Sequence, residues 1–93
     1  MRLREKDATD EELKDGILRK FVRMRAGRAR HVYEGDVPKG MPPHLRKRIM
    51  QCLRELVREG LVVEFPHGGE RAYTFNMNRL AEIRHRIEGR DAG

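Results

Sequence analysis

The chain has 93 residues, 39% of them charged and 5% aromatic, with 21 Lys and Arg against 15 Asp and Glu for a net charge of +6. That length fits one small domain, and the single cysteine, Cys52, excludes an internal disulfide and suits a reducing, cytoplasmic setting. No apolar run approaches the ~20 residues of a membrane span, and the opening MRLREKDATDEE lacks the apolar centre of a signal peptide, so no membrane partner is expected.

The first element is a helix. Thr9 is placed to cap it, and Glu12 three residues on completes a capping box. Asp10, Glu11 and Glu12 complement the positive helix end, Arg23 and Arg25 the negative end, and Gly27 is expected to close it in a left-handed turn. Leu13, Ile17, Phe21 and Met24 recur at helical spacing as one apolar stripe. Leu18 and Val22 fall beside the stripe and widen it, either as more core or as part of a dimer contact.

The stretch RARHVYEGDVPKGMPP, residues 28–43, follows. His31, Val32 and Tyr33 suit a very short strand. Asp36 is expected to cap a single helical turn from Val37 to Met41, with Pro38 tolerated in its first turn. Pro42 biases Met41 away from helix and Pro43 does the same to Pro42, while Gly40 lets the chain reverse. Pro43 then opens a long basic helix that runs to about Glu59 and stops at Gly60. Leu45, Ile49, Cys52, Leu53, Leu56 and Val57 form its buried stripe, which makes Cys52 a small core residue. At about 100° per residue, the opposite face carries Lys47, Gln51, Arg54 and Arg58, with His44 and Arg48 on its flank.

In LVVEFPHGGERAYTFN, residues 61–76, the runs Leu61–Phe65 and Ala72–Phe75 form a β-hairpin. Pro66, Gly68 and Gly69 give it a loose tip. A lone hairpin is marginal in water, so it must pack on the helices. Asn76 or Asn78 caps a last helix, whose apolar edge is Leu80, Ile83 and Ile87 and whose end is Gly89. The tail RDAG is expected to fray. The whole of 1–93 reads as one domain, with an ordered core of about 9–88 and flexible termini.

The charge is concentrated in the middle of the chain. Residues 1–18 hold four basic and six acidic side chains, residues 19–58 twelve and three, and residues 59–93 five and six. A basic centre between slightly acidic flanks points to a polyanionic partner. A solvated, thermophile-like ion-paired surface is the competing explanation. Sixteen of the 21 cations are Arg, whose planar fork suits phosphates and guanine edges.

The order helix, short strand, one-turn helix, long basic helix, hairpin, helix resembles the winged helix-turn-helix family, especially its small prokaryotic and archaeal regulators. The resemblance covers roughly residues 10–88. Its most specific piece is LRKRIMQCLRELVREGLVVEF, residues 45–65, a basic amphipathic helix that ends in Glu-Gly-Leu and runs into an apolar strand. The family's common motif has a longer, proline-free second helix, whereas Pro38, Pro42 and Pro43 shorten and stiffen that region here.

The resemblance implies an α+β, mostly α fold: a three-helix core, a β-hairpin wing and an additional C-terminal helix. It implies a double-stranded DNA-binding regulator of transcription, acting as a homodimer on two half-sites. Helix 43–59 would enter the major groove. His44, Lys47, Arg48 and Gln51 are then expected near base edges, Arg54 and Arg58 nearer phosphates, and Arg46 and Lys39 on the same basic surface. Leu18 and Val22, or Leu80, Ile83 and Ile87, would supply the two-fold contact. The tip PHGGER would be the wing, with His67 and Arg71 as its contacts and Glu70 opposing them. RMRAGRARH, residues 23–31, would be a second phosphate-gripping element.

His31, His44, His67 and His85 lack ligand-like spacing, and no zinc pattern, phosphate-binding glycine loop or nucleophile elbow is present. The expectation is a protein that is no enzyme and takes no metal, cofactor or small-molecule ligand. Two alternatives stand beside DNA binding. One is an RNA-binding or ribosome-associated winged helix, disfavoured for single strands because spacing assembles no exposed aromatic platform. The other is a protein-interaction module of a transcription or replication assembly, in which the basic centre should tolerate neutralisation.

Overall fold

In a computed structural model, residues 8–92 are described, residues 90–92 by their backbone alone. The flexibility expected before residue 8 and at Gly93 falls outside this range, whereas residues 90–92 of the tail expected to fray continue the last helix.

Thr9 opens the first helix as the capping box requires. Its hydroxyl accepts from the Glu12 amide at 3.1 Å, and the Glu12 carboxylate accepts from the Thr9 amide at 3.0 Å. Helix α1 spans Asp10–Arg23. Its end departs from expectation, because the left-handed residue is Arg25, with φ 55°, and not Gly27. Gly27 serves close packing instead. A Cβ there would lie 2.5 Å from the Phe75 ring and 2.8 Å from the Met77 sulfur. Glycine therefore lets this loop approach the end of the sheet, where the Phe75 amide donates to the Ala26 carbonyl at 2.8 Å.

Strand β1 is Val32–Tyr33. The expected helical turn over 37–41 does not form. A 3-10 turn spans Glu34–Asp36 upstream, and Asp36 directs its carboxylate to Lys39 at 2.8 Å. The prolines explain the difference. An α-helix would need amides at 42 and 43 for the carbonyls of 38 and 39, and Pro42 and Pro43 have none. Those carbonyls find other donors. Pro38 accepts from the Met41 amide at 3.0 Å. The Lys20 ammonium, reaching from α1, donates to the carbonyls of Asp36, Val37 and Lys39 at 2.7, 3.0 and 2.8 Å. Burial draws the Lys20 pKa below its ordinary value. Gly40, at φ 84°, reverses the chain. Where the sequence leads one to expect a second helix of a three-helix core, the structure has a 3-10 turn.

Pro43–Leu45 form another 3-10 turn, and α2 follows over Arg46–Arg58. Gly60, at φ 81°, closes it. Strands β2, Val62–His67, and β3, Glu70–Phe75, pair from Val62↔Phe75 to His67↔Glu70. The tip is tighter than the sequence suggests. Gly68 and Gly69, at φ 59° and 85°, make a two-residue turn, and Pro66 and His67 belong to the strand. Pro66 is tolerated because the order β1–β3–β2 leaves β2 at an edge. Asn76 accepts from the Asn78 amide at 3.0 Å and caps a 3-10 turn, Met77–Arg79. Helix α3 spans Leu80–Ala92 and continues through Gly89, where a helix-interior glycine costs about 1 kcal/mol but does not end the helix.

The architecture is α+β and mostly helical, with three helices packed on a three-stranded antiparallel sheet. Ile17, Leu18 and Phe21 meet Ile49, Leu53 and Leu56, the sheet residues Val32, Val62, Tyr73 and Phe75, and Ile83 in one core. Leu18, Ile83 and Ile87 are buried there by the chain itself, which leaves Val22 and Leu80 as the half-buried positions of the expected two-fold surface. Among the described residues no helix is long and apolar enough to cross a membrane.

Charged side chains tie the helices together. Lys14, 4% exposed, reaches Glu59 at 2.6 Å and Glu55 at 3.0 Å. Arg86 on α3 reaches Asp15 at 2.5 Å and Glu11 at 2.7 Å on α1. Burial opposes the Lys14 charge, yet the bonds to Glu59 and Glu55 outweigh it and hold its pKa above the ordinary lysine value. Burial pushes the Cys52 thiol up to about 11. Burial also raises the Tyr73 hydroxyl, which donates to Glu64 at 2.8 Å and Glu34 at 3.3 Å. All three groups keep their protons to higher pH in the folded chain than in the unfolded one. The unfolded chain then binds fewer protons in alkali, so stability falls as pH rises above about 9. Urea midpoints measured from pH 7 upward should decline from that point, and a disulfide reagent should label Cys52 only on unfolding. Labelling of the native protein at the rate of a free thiol would contradict this burial.

Candidate nucleic-acid interface

Helix α2 has its charges sorted by sign. The one acid within it, Glu55, and Glu59 just beyond it turn toward the buried Lys14. The outward side chains are Arg46, Lys47, Gln51, Arg54 and Arg58. All five are exposed, and none is held by a hydrogen bond or ion pair to another described residue. At 1.5 Å per residue this 13-residue helix presents a basic face about 20 Å long. The buried stripe of Leu45, Ile49, Cys52, Leu53 and Leu56 fixes which side faces out.

The expected site residues divide into groups. Arg46, Lys47, Gln51, Arg54 and Arg58 share the outward face, and His44 is exposed in the turn that leads into it. Arg48 does not join them. Its guanidinium donates to the Ala8 carbonyl and to Asp10, both at 2.8 Å, so it braces α2 against the start of α1. Lys39 lies in the preceding turn and pairs with Asp36. Lys20, which the sequence does not single out, holds that turn through three carbonyls and so helps aim α2.

The two hairpin candidates separate. Successive residues of a strand point to opposite faces. By register, Arg71 shares the inner face with Glu64 and lies 3.9 Å from its carboxylate. His67 lies on the outer face with Phe65, Ala72 and Tyr33. That outer face carries a ring cluster that sequence spacing does not reveal. His31 lies 4.9 Å from Tyr33, 5.8 Å from Phe65 and 4.3 Å from His67, centroid to centroid. Tyr33 Oη and His67 Nδ1 share a hydrogen bond of 2.9 Å. The expectation that no aromatic platform assembles is therefore corrected. The available signal was the pair of i, i+2 repeats, His31/Tyr33 and Phe65/His67, each of which places two rings on one strand face.

Arg23, Arg25, Arg28 and Arg30 of the second basic element are all exposed. Arg25, Arg28 and Arg84 surround a shallow groove of about 330 Å³ floored by Val22, Phe75, Met77 and Leu80. Among the described residues no group of three or more His, Cys, Asp and Glu side chains could hold a metal ion. Comparison with family models, with curated proteins and with solved structures finds no match to this chain, so a functional reading of the basic face rests on its geometry and chemistry.

Proposed function

We propose that the protein is a cytoplasmic, winged-helix-like regulator of transcription that binds double-stranded DNA, with α2 in the major groove and the β2–β3 hairpin as the wing. The observation that supports this reading is the sorting of charge on α2. Its acidic partners are drawn inward by Lys14, and the outward face keeps four cations and one amide with no acid among them. A groove about 12 Å wide admits a helix of this length. Gln51, in the middle of the face, suits an adenine edge, and Lys47 and Arg46 suit guanine. Arg54 and Arg58 reach phosphates as the helix leaves the groove. A homodimer would set one such helix on each half-site, with Val22 and Leu80 as the apolar positions left for the two-fold contact.

Salt titration of duplex binding tests the proposal. With about six phosphates neutralised, log K should fall against log salt with a slope near −5. Gln51→Ala should relax sequence preference at one base pair by about 1–3 kcal/mol, and Arg58→Ala should weaken every duplex equally and make the slope shallower by roughly one. Absence of duplex binding at ~50 mM salt would overturn the proposal.

A further inference from the structure

We propose that the outer face of the β1–β3–β2 sheet is a second binding site, one that stacks an unpaired nucleobase of a DNA strand. It uses none of the outward residues of α2 and goes beyond their duplex contact.

The sheet has two unlike faces. Val32, Tyr73, Phe75 and Val62 turn inward to the core. Tyr33 and Phe65 flank Ala72 on the other side, where Ala72 has no exposed surface, and His31 and His67 complete the group. His31, Tyr33 and Phe65 are half-buried and His67 is exposed, so the cluster presents ring surface to solvent and is not part of the core. The rings meet at 43° to 88°, and no ring has a parallel partner within the cluster. Parallel stacking must come from outside, and every base has a flat π-face to supply it.

The surroundings select the partner. Arg28 and Arg30 are exposed in the segment that enters β1 beside His31, and neither is paired with another described residue. Glu70, paired with His67 across the tip, is the acid at the opposite end. Ring surface that begins at His31, next in the chain to the exposed and unpaired Arg30, fits a strand whose base stacks on the rings while a phosphate reaches that guanidinium. An apolar peptide would have no use for the cations. Stacking on neighbouring base pairs hides the π-faces inside a duplex, so the site is selective for bases that have left the stack.

Three probes at one salt concentration test this by fluorescence anisotropy: a blunt duplex, the same duplex with a short single-stranded thymidine overhang, and that overhang made abasic. The overhang should tighten binding about tenfold, the scale of a single base–aromatic stack. The abasic overhang should lose the gain. Phe65→Leu and Tyr33→Leu, which keep apolar bulk, should abolish the difference between the thymidine and abasic overhangs. Arg58→Ala should weaken all probes and preserve the ratio. Equal affinity for the thymidine and abasic overhangs would overturn the proposal, as would a ratio that survives in a Phe65→Leu variant with the parent melting temperature. If the blunt duplex is not bound at all, the reading of α2 fails separately, and a free thymidine strand against its abasic counterpart then decides the sheet face alone.

Discussion

Arg86→Met is expected to destabilise the protein by about 3 kcal/mol, among the largest effects of any single replacement outside the apolar core. Asp15 is 2% exposed, and its carboxylate receives the Arg86 Nε at 2.5 Å. Methionine keeps much of the side-chain volume but removes a cation bonded to this buried carboxylate. The cost arises from taking a charged partner away from a buried carboxylate, more than from the worth of the pair itself. The second arm of Arg86, to Glu11 at 2.7 Å, is more exposed and contributes little. A double-mutant cycle separates the two contributions. Asp15→Asn combined with Arg86→Met should recover part of the loss, because the amide no longer requires a cation. Urea unfolding of the four proteins reads the coupling. A single-variant loss below about 1 kcal/mol would show that α3 is not locked to α1 through this bond.

Lys20→Met is expected to cost about 2 kcal/mol and roughly 10 °C in Tm. One ammonium serves the carbonyls of Asp36, Val37 and Lys39, and for Lys39 no helical amide could replace it, because position 43 is a proline. The cost is smaller than for Arg86 because Lys20 is only partly buried and water can replace some of these bonds. The effect is also local. Amide exchange should accelerate for residues 37–41 before the core is affected. Under the proposed function, the same variant should weaken duplex binding, since a loosened turn no longer aims α2. Lys20→Arg should restore only part of the stability, because a planar fork cannot converge on three carbonyls as a compact ammonium does. Unchanged exchange across 37–41 would remove Lys20 from this role.

Much of the fold is legible in the sequence because much of it is local. The capping box at Thr9 and Glu12 depends on residues three apart. The stripe of α2 and the alternation of the hairpin are periodic patterns, and they identify the outward residues Lys47, Gln51, Arg54 and Arg58 correctly. What escapes is decided by distant partners. Arg48 sits on the flank of a basic face by spacing, yet Asp10 captures it from 38 positions away. Lys14 and Asp15 lie between apolar positions and carry no mark of burial until α2 and α3 close over them. Gly27 resembles a helix terminator, and only the approach of Phe75 shows its purpose. The ring cluster needs β1 and β2 to flank β3, a pairing order that no local pattern encodes.

The sheet also constrains how copies of this protein can associate. β1 is two residues long, and β2 carries Pro66, which interrupts its run of donors. A short edge and an edge broken by proline are both poor templates for an incoming strand. Growth by strand addition, the route to fibrillar aggregates, is therefore blocked on both sides of the sheet. Self-assembly of this chain is left to its helices, and a concentrated, heated sample should precipitate amorphously without the cross-β spacing of amyloid.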